Sequence, residues 1–388
     1  MVKRKRIGVI FSYNEAWIAG SYYILNIINA LHRLEYKEKP VIVVLTEQKS
    51  DFLILEEETQ YPFLEFFKIP LQLPRYSVFE RLINKIGRVF KIKKLINKKP
   101  LKADIEFLYP FEMPGVSVNP IKKINWVPDF QEIHLPNLFT EELLEQRKKH
   151  QKEVICKGDW VVFSSKDAQK DFNQLYTNTT VKQYVLPFAV THPDFKTLNL
   201  NEILKKYDLP KNYYFAPNQF WAHKNHMVVL EAVNELKDKN INIQVAFSGK
   251  ENDHRNADYV SLLHSYVKNN NLEKNVHFLG FIPRKDQLKL MQNAVAIIQP
   301  SKFEGWSTVV EDAKAINQYL ILSDIDVHKE QINKNVSFFN PTNYSKLAAL
   351  LSEFWLSPPK VEVIDYDIEK SKFAKNFMSL ITSVNNQV

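Results

Sequence analysis

Two segments hold the residue types that could do chemistry. The first is Pro217-Asn218-Gln219-Phe220-Trp221-Ala222-His223-Lys224-Asn225-His226. It follows an apolar run and precedes a helical pattern, so Lys224 falls at a helix N-terminus, where backbone N–H groups also favour anions. The plain alternative is a solvated surface lysine. The second is Gln299-Pro300-Ser301-Lys302-Phe303-Glu304-Gly305-Trp306-Ser307-Thr308-Val309-Val310-Glu311-Asp312-Ala313. Thr308-x-x-Glu311 fits a capping box, which predicts a helix from near Val309. Glu304 then lies in the loop before that helix, and Gly305, Trp306, Ser307 and Thr308 present N–H groups at its start. The plain reading of Glu311 is a helix cap. A loop carboxylate beside an anion-binding helix start repels phosphate unless it holds something else, such as sugar hydroxyls, which singles out Glu304. Two shorter signals join these. Gly249, in Ser248-Gly249-Lys250, permits close backbone approach or simply makes a turn. Leu279-Gly280-Phe281-Ile282-Pro283 offers backbone groups to a flat base.

These segments need elements to position them. Short apolar runs predict strands at 5–12, 41–45, 105–108, 123–126, 160–163 and 182–186. A second series is predicted at 213–216, 243–247, 276–279, 295–299 and 319–322. Between them, apolar residues at helical spacing predict helices at 21–34, 226–238, 258–270, 285–292 and 309–317, with a further one at 368–384. Continuous Val/Ile/Leu runs alternating with helices predict parallel sheets covered on both faces. Two prolines in Leu186-Pro187-Phe188-Ala189-Val190-Thr191-His192-Pro193 mark a seam. The expected organisation is a first α/β domain over 1–190, a second over 191–365 and a C-terminal helix over 366–388 packing back on the first domain. Ligands of doubly wound domains gather at the carboxyl ends of the strands.

Composition narrows the choices. The 388 residues carry a net charge of +8 and only 8 glycines. No two glycines make G-x-G-x-x-G or a P-loop, so phosphate must be held by isolated glycines, helix N-termini and cations. The single cysteine, Cys156, builds neither a disulfide framework nor a thiolate zinc site, which fits a reducing compartment. The apolar run after the basic N-terminus is short for a signal peptide, and no 18-residue apolar stretch is present. The expected location is cytoplasmic, with association at the inner face of the cell membrane. Nucleic acid is not expected, because no such motif accompanies the basic charge. His223 and His226 lack a third ligand for zinc, so polar packing is their expected role. Asp324-Ile325-Asp326 has a metal-binding form, but no metal site is assigned.

The second segment, followed by Leu322-Ser323-Asp324-Ile325-x-Val327-His328-x-Glu330, resembles the signature of retaining GT-B glycosyltransferases of family 4, the glycosyl transferase group 1. The Pro217–His226 segment resembles that family's donor-phosphate segment, and Phe278-Leu279-Gly280-Phe281-Ile282-Pro283 its nucleobase loop. Trp17-x-x-Gly20-Ser21 is similar to its first loop, and Trp126-Val127-Pro128-Asp129-Phe130-Gln131 to an acceptor-side motif. The resemblance implies two Rossmann-like domains facing across a cleft. It implies transfer of a glycosyl group, without metal or cofactor, from a nucleoside diphosphate sugar to a glycan or lipid-linked glycan acceptor in cell-surface polysaccharide or lipopolysaccharide assembly. Lys224, with help from Gly20 and the N–H groups of Gly305–Thr308, would hold the diphosphate, Glu304 the sugar, Glu311 the ribose and the Ile282 backbone the base; Asn218 and Gly249 count among the donor-binding residues. Asp129 would act on the acceptor side or cap a turn. Three departures stand out. Six residues separate Glu304 from Glu311 where the family usually has seven. Asn218 stands where the family has an arginine, six positions before the lysine. Pro128 replaces a histidine found in many members. Arg284 and Lys250 are candidates to replace the lost cation.

A run of cations from Arg81 to Lys102, without an acidic residue, alternates with Leu82, Ile86, Val89, Phe90 and Ile96. This is a basic amphipathic pattern suited to an anionic membrane surface; a helix with its apolar face in the core is the plain alternative. Two other functions fit the same architecture, a nucleotide-sugar epimerase and a non-catalytic nucleotide-sugar binding protein.

Overall fold

A computed structural model describes residues 4–13, 18–69, 78–89, 103–110, 122–157, 159–253 and 255–385. The strands are β1 (Arg6–Ile10), β2 (Val41–Thr46), β3 (Leu64–Lys68), β4 (Phe107–Leu108), β5 (Lys122–Val127), β6 (Trp160–Phe163) and β7 (Lys182–Val185), then β8 (Tyr214–Ala216), β9 (Val245–Phe247), β10 (Val276–Phe278), β11 (Ile297–Gln299), β12 (Leu320–Ser323) and β13 (Val336–Phe339). They form a seven-stranded sheet, order β3-β2-β1-β4-β5-β6-β7, and a six-stranded sheet, order β10-β9-β8-β11-β12-β13. The β1–β2, β8–β9 and β11–β12 pairs are parallel, as strands joined through helices must be.

By packing, the chain divides into two compact units. One holds Met1–Trp126, Lys157–Val162 and Ala374–Val388; the other holds Val127–Cys156 and Phe163–Phe373. In the first, Val43, Leu45, Ile105 and Leu108 share one core. The C-terminal helix Asp367–Asn385 brings Phe377 to 5.8 Å from the Tyr109 ring. In the second, successive strand residues enter opposite cores. Tyr214, Ala216, Val245, Phe247 and Ile298 line one face, while Phe215, Ala246, Ile297 and Leu320 line the other. Alternation of side chains along a strand, with both faces buried, explains why these runs read as uniformly apolar.

Some predicted boundaries move. The helix expected from Val309 spans Thr308–Ala315, because its cap is Ser307, whose Oγ accepts from the Val310 N–H at 3.4 Å. The capping box drawn on Thr308 and Glu311 is therefore absent. Strands β3 and β13, which the pattern did not predict, are edge strands of their sheets. Of the basic run 81–102, the helix Val78–Val89 is described and 90–102 lies outside the described residues.

Candidate functional site

In the second sheet the chain winds outward from β8 on one side and continues from β11 on the other, so β8 and β11 flank the point where the strand order reverses. Loops diverge there and leave room for a ligand. The loop after β8 and the loop after β11 carry the two segments singled out by sequence. They are tied together at several points. Lys302 N donates to His223 O at 2.8 Å. Asn225 adopts φ 58°, a left-handed conformation that asparagine tolerates, and its Nδ2 donates to Pro300 O at 3.1 Å and Pro341 O at 2.8 Å.

This bracing brings Lys224 and Glu304 together. Lys224 Nζ donates to Glu304 Oε1 at 2.6 Å, and Gln299 Nε2 donates to the same oxygen at 2.7 Å. The two charged side chains are 15% and 8% exposed, so the pair is largely out of water. Burial alone would raise the Glu304 carboxyl; Lys224, then His223 and His328, outweigh it and hold it at about 2. Glu304 is thus an anion at neutral pH, and an ammonium with further N–H donors stands beside it. Burial, followed by Lys224, holds the His223 ring well below its ordinary value. His226 is pushed down to about 3, mainly by burial, with its ring stacked on Phe220 at 4.6 Å. Both imidazoles are neutral packing groups at pH 7.

Glu311 has a different fate. Its carboxylate accepts from the Tyr366 hydroxyl, from Lys314 Nζ at 2.9 Å and from Gln331 Nε2 at 2.9 Å. Gln331 also receives the Ser307 N–H at 3.1 Å, so that N–H serves the helix start and not a ligand. Asp312, beside Glu311, is held by Arg284 and by His192 at 2.9 Å; burial would raise it, and Arg284 then His192 keep it low. Seven residues, 305–311, separate Glu304 from Asp312. The seven-residue spacing expected between two glutamates thus falls here on an aspartate, with Glu311 one residue short of it. Arg284, engaged by Asp312 and by Gln287 at 3.0 Å, is committed elsewhere, and Lys250 is exposed.

The remaining site residues fall as follows. A Cβ on Gly305 would lie 2.6 Å from Pro128 O and 2.9 Å from Asp129 Cβ, so glycine lets Asp129 pack directly beside the Glu304 loop. Asp129 Oδ1 accepts from Gln131 N at 3.1 Å and from Arg147 at 3.4 Å, so it does cap its own turn. A Cβ on Gly249 would lie 2.1 Å from Asn218 O; the glycine is there for close approach to the phosphate-segment backbone. Gly249 N donates to Gly280 O at 2.9 Å, tying that segment to the base loop. Ile282 is buried, whereas Phe281 beside it is 56% exposed. Trp306 Nε1 donates to Phe188 O at 3.1 Å. Gly20 is buried in the first turn of the helix Ile18–Leu31, in the first unit. Asp324 and Asp326 each face a lysine, Lys329 and Lys170. Among the described residues no group of three or more His, Cys, Asp or Glu is placed to hold a metal ion. Sequence reasoning passed over Gln299 and Tyr366, polar residues whose role shows only through contacts distant in the chain.

With this geometry in place, comparison with known proteins gives a consistent answer. Residues 201–371 match the family described as glycosyl transferases group 1. This part of the chain is similar to a group 1 glycosyl transferase domain. It contains both loops of the site. The chain is 24% identical over 183 residues to the O-antigen chain mannosyltransferase RfbU of Salmonella typhimurium strain LT2, which is 46% of this chain and 49% of that protein. The chain thus spans about half the length of that curated relative. The fold resembles a glycosyltransferase from Rickettsia africae ESF-5, with TM-score 0.63 at 13% identity over 99% of this chain and 100% of the other. It also resembles Anabaena HepE, solved in complex with UDP, with TM-score 0.63 at 15% identity over 98% and 100%. The fold is that of the GT-B glycosyltransferases, built on two Rossmann-like sheets.

Proposed function

We propose that this chain transfers a glycosyl group from a nucleoside diphosphate sugar to an acceptor hydroxyl, with retention and without a metal, in cell-surface polysaccharide or lipopolysaccharide assembly. The observation that carries the reading is the buried Lys224–Glu304 pair at the β8/β11 switch point. Departure of a nucleoside diphosphate needs positive charge preorganised in a place shielded from water. Lys224 has N–H donors beyond the one used by Glu304 and supplies that charge. Glu304, fixed as an anion, accepts from hydroxyls of the transferred sugar. The ribose is assigned to Glu311, and the base to the backbone at Ile282. Gly20, Gly249 and the N–H groups of Gly305, Trp306 and Thr308 are also assigned to the diphosphate, and Asp129 to the acceptor-side role. The acceptor is a glycan or lipid-linked glycan; the named activity of the O-antigen relative supports that process. Metal independence rests on Lys224 and on the lysine partners of Asp324 and Asp326.

The division into an acceptor-side domain 1–190, a donor domain 191–365 and a C-terminal helix 366–388 belongs to the same proposal. So does contact with anionic membrane through 81–102, at the cytoplasmic face. Phe79, Leu82 and Ile86, at helical spacing, are 70%, 55% and 49% exposed, which argues against a face packed in the core. Among the described residues no helix is long and apolar enough to cross a membrane.

The test is incubation of the protein with UDP-, GDP- and ADP-sugars, with and without EDTA, together with a lipid extract as acceptor. Transfer from one donor class, unaffected by EDTA, supports the reading. Conversion of the donor to an epimer without acceptor would replace it with the epimerase reading. Binding without turnover would leave a non-catalytic protein.

A further inference from the structure

The loop after β9 carries a cation outside the sequence-derived site. Arg255 is 8% exposed at its side chain. Its guanidinium lies 4.9 Å from the Phe139 ring centroid and 5.2 Å from that of Trp221. Nη1 donates to Gln131 Oε1 at 3.2 Å, and Nη2 stands 3.5 Å from His223 Nδ1, on the residue directly before Lys224.

The charge of Arg255 is poorly answered. The carboxylate beside it, Asp253, stands 3.8 Å from Nε, too far for a hydrogen bond. Asp253 is also occupied, accepting from Ala222 N at 2.9 Å, Arg255 N at 3.0 Å and Asn256 Nδ2 at 3.1 Å. Arg255 Nε is buried with no hydrogen-bond partner, and so are Gln131 Nε2, on the residue that receives Nη1, and Asn218 Nδ2, in the same loop as Trp221 and His223. A buried donor without a partner is costly, and two of these, one on the guanidinium and one on the glutamine it contacts, call for an anion. The guanidinium fork suits phosphate oxygens.

We propose that Arg255 supplies the second positive charge to the donor's diphosphate, in place of the arginine missing at Asn218. Lys224 approaches that group from the loop after β8 and Arg255 from the loop after β9, both through the turn that contains His223. This inference rests on the donor-site reading above. It accounts for a departure that otherwise leaves the phosphate site one cation short.

The experiment is a calorimetric titration of wild type, Arg255→Lys and Arg255→Gln with UDP, GDP and ADP and with the matching monophosphates. The diphosphate that binds wild type binds Arg255→Gln at least tenfold more weakly, and Arg255→Lys falls between. The preference for diphosphate over monophosphate shrinks in Arg255→Gln. Unliganded Arg255→Gln melts no lower than wild type, because an unanswered buried charge has been removed. Equal diphosphate affinity in wild type and Arg255→Gln overturns the inference while leaving the donor site in place. A lowered melting temperature, with diphosphate and monophosphate weakened alike, assigns Arg255 to structure and overturns it too. No binding of any nucleotide by wild type would overturn the donor-site reading itself, and the Arg255 assignment with it.

Discussion

Around Lys224 and Glu304 charge is buried; along the helix Val78–Val89 apolar surface is exposed. In the second unit, a lysine and a carboxylate are buried as a pair, an arginine lies against the Phe139 and Trp221 rings, and several N–H donors are unsatisfied. In the first unit, Phe79, Leu82 and Ile86 stand in water on a helix whose sequence continues into cations. Either arrangement costs stability in the isolated chain. The two regions differ in what they leave unanswered, buried polar donors in the one and exposed apolar side chains in the other.

Breaking the buried side should have the largest effect. Lys224→Ala leaves Glu304 charged and buried, so stability should fall by about 3–5 kcal/mol and nucleotide-dependent turnover by about a hundredfold or more. Denaturant titration and single-turnover kinetics measure the two separately. If turnover holds while stability falls, Lys224 is structural only. Gly249→Ala places a methyl against the Asn218 carbonyl and should cost about 1–3 kcal/mol, with weakened nucleotide binding; wild-type affinity in that variant would show the loop free to move.

The buried histidines sharpen the same side. The unfolded chain binds protons near pH 6.5, whereas folded His226 does so only near pH 3, and folded His223 and His328 are lowered as well. The stability of the neutral rings is present above pH 6.5 and is lost as pH falls toward 3, by about 1.4 kcal/mol per pH unit for each proton. Unfolding free energies from pH 8 to 5 should show this slope, and His226→Phe should flatten it by about one proton. An unchanged slope would place His226 in water.

The exposed side should give the smallest change in the protein alone. Leu82→Ser with Ile86→Ser should alter stability by no more than about 0.5 kcal/mol but abolish co-sedimentation with anionic vesicles at low salt. A large stability loss would mean that this face packs against protein.

The sequence made the second half legible because its strands are buried on both faces and its loops carry unusual residues in order. The helix His226–Asp238 was predicted at its observed ends, since its apolar spacing is regular. Strands β3 and β13 escaped notice because Glu65 and Ser337 interrupt their apolar runs. The cap was misplaced by one residue because Ser307 and Thr308 are both good caps, and only the side-chain contact to Val310 separates them. Arg255 was illegible for another reason. It lies in the polar stretch Lys250–Asn256, and its meaning depends on Gln131, more than a hundred residues away.

The most direct measurement is the affinity of the wild-type chain and Lys224→Ala for UDP, GDP and ADP by titration calorimetry, with and without EDTA. One of the three should bind wild type, equally well with EDTA, and Lys224→Ala should lose that binding. Binding that depends on a divalent cation, or that survives loss of Lys224, would contradict the donor-site reading.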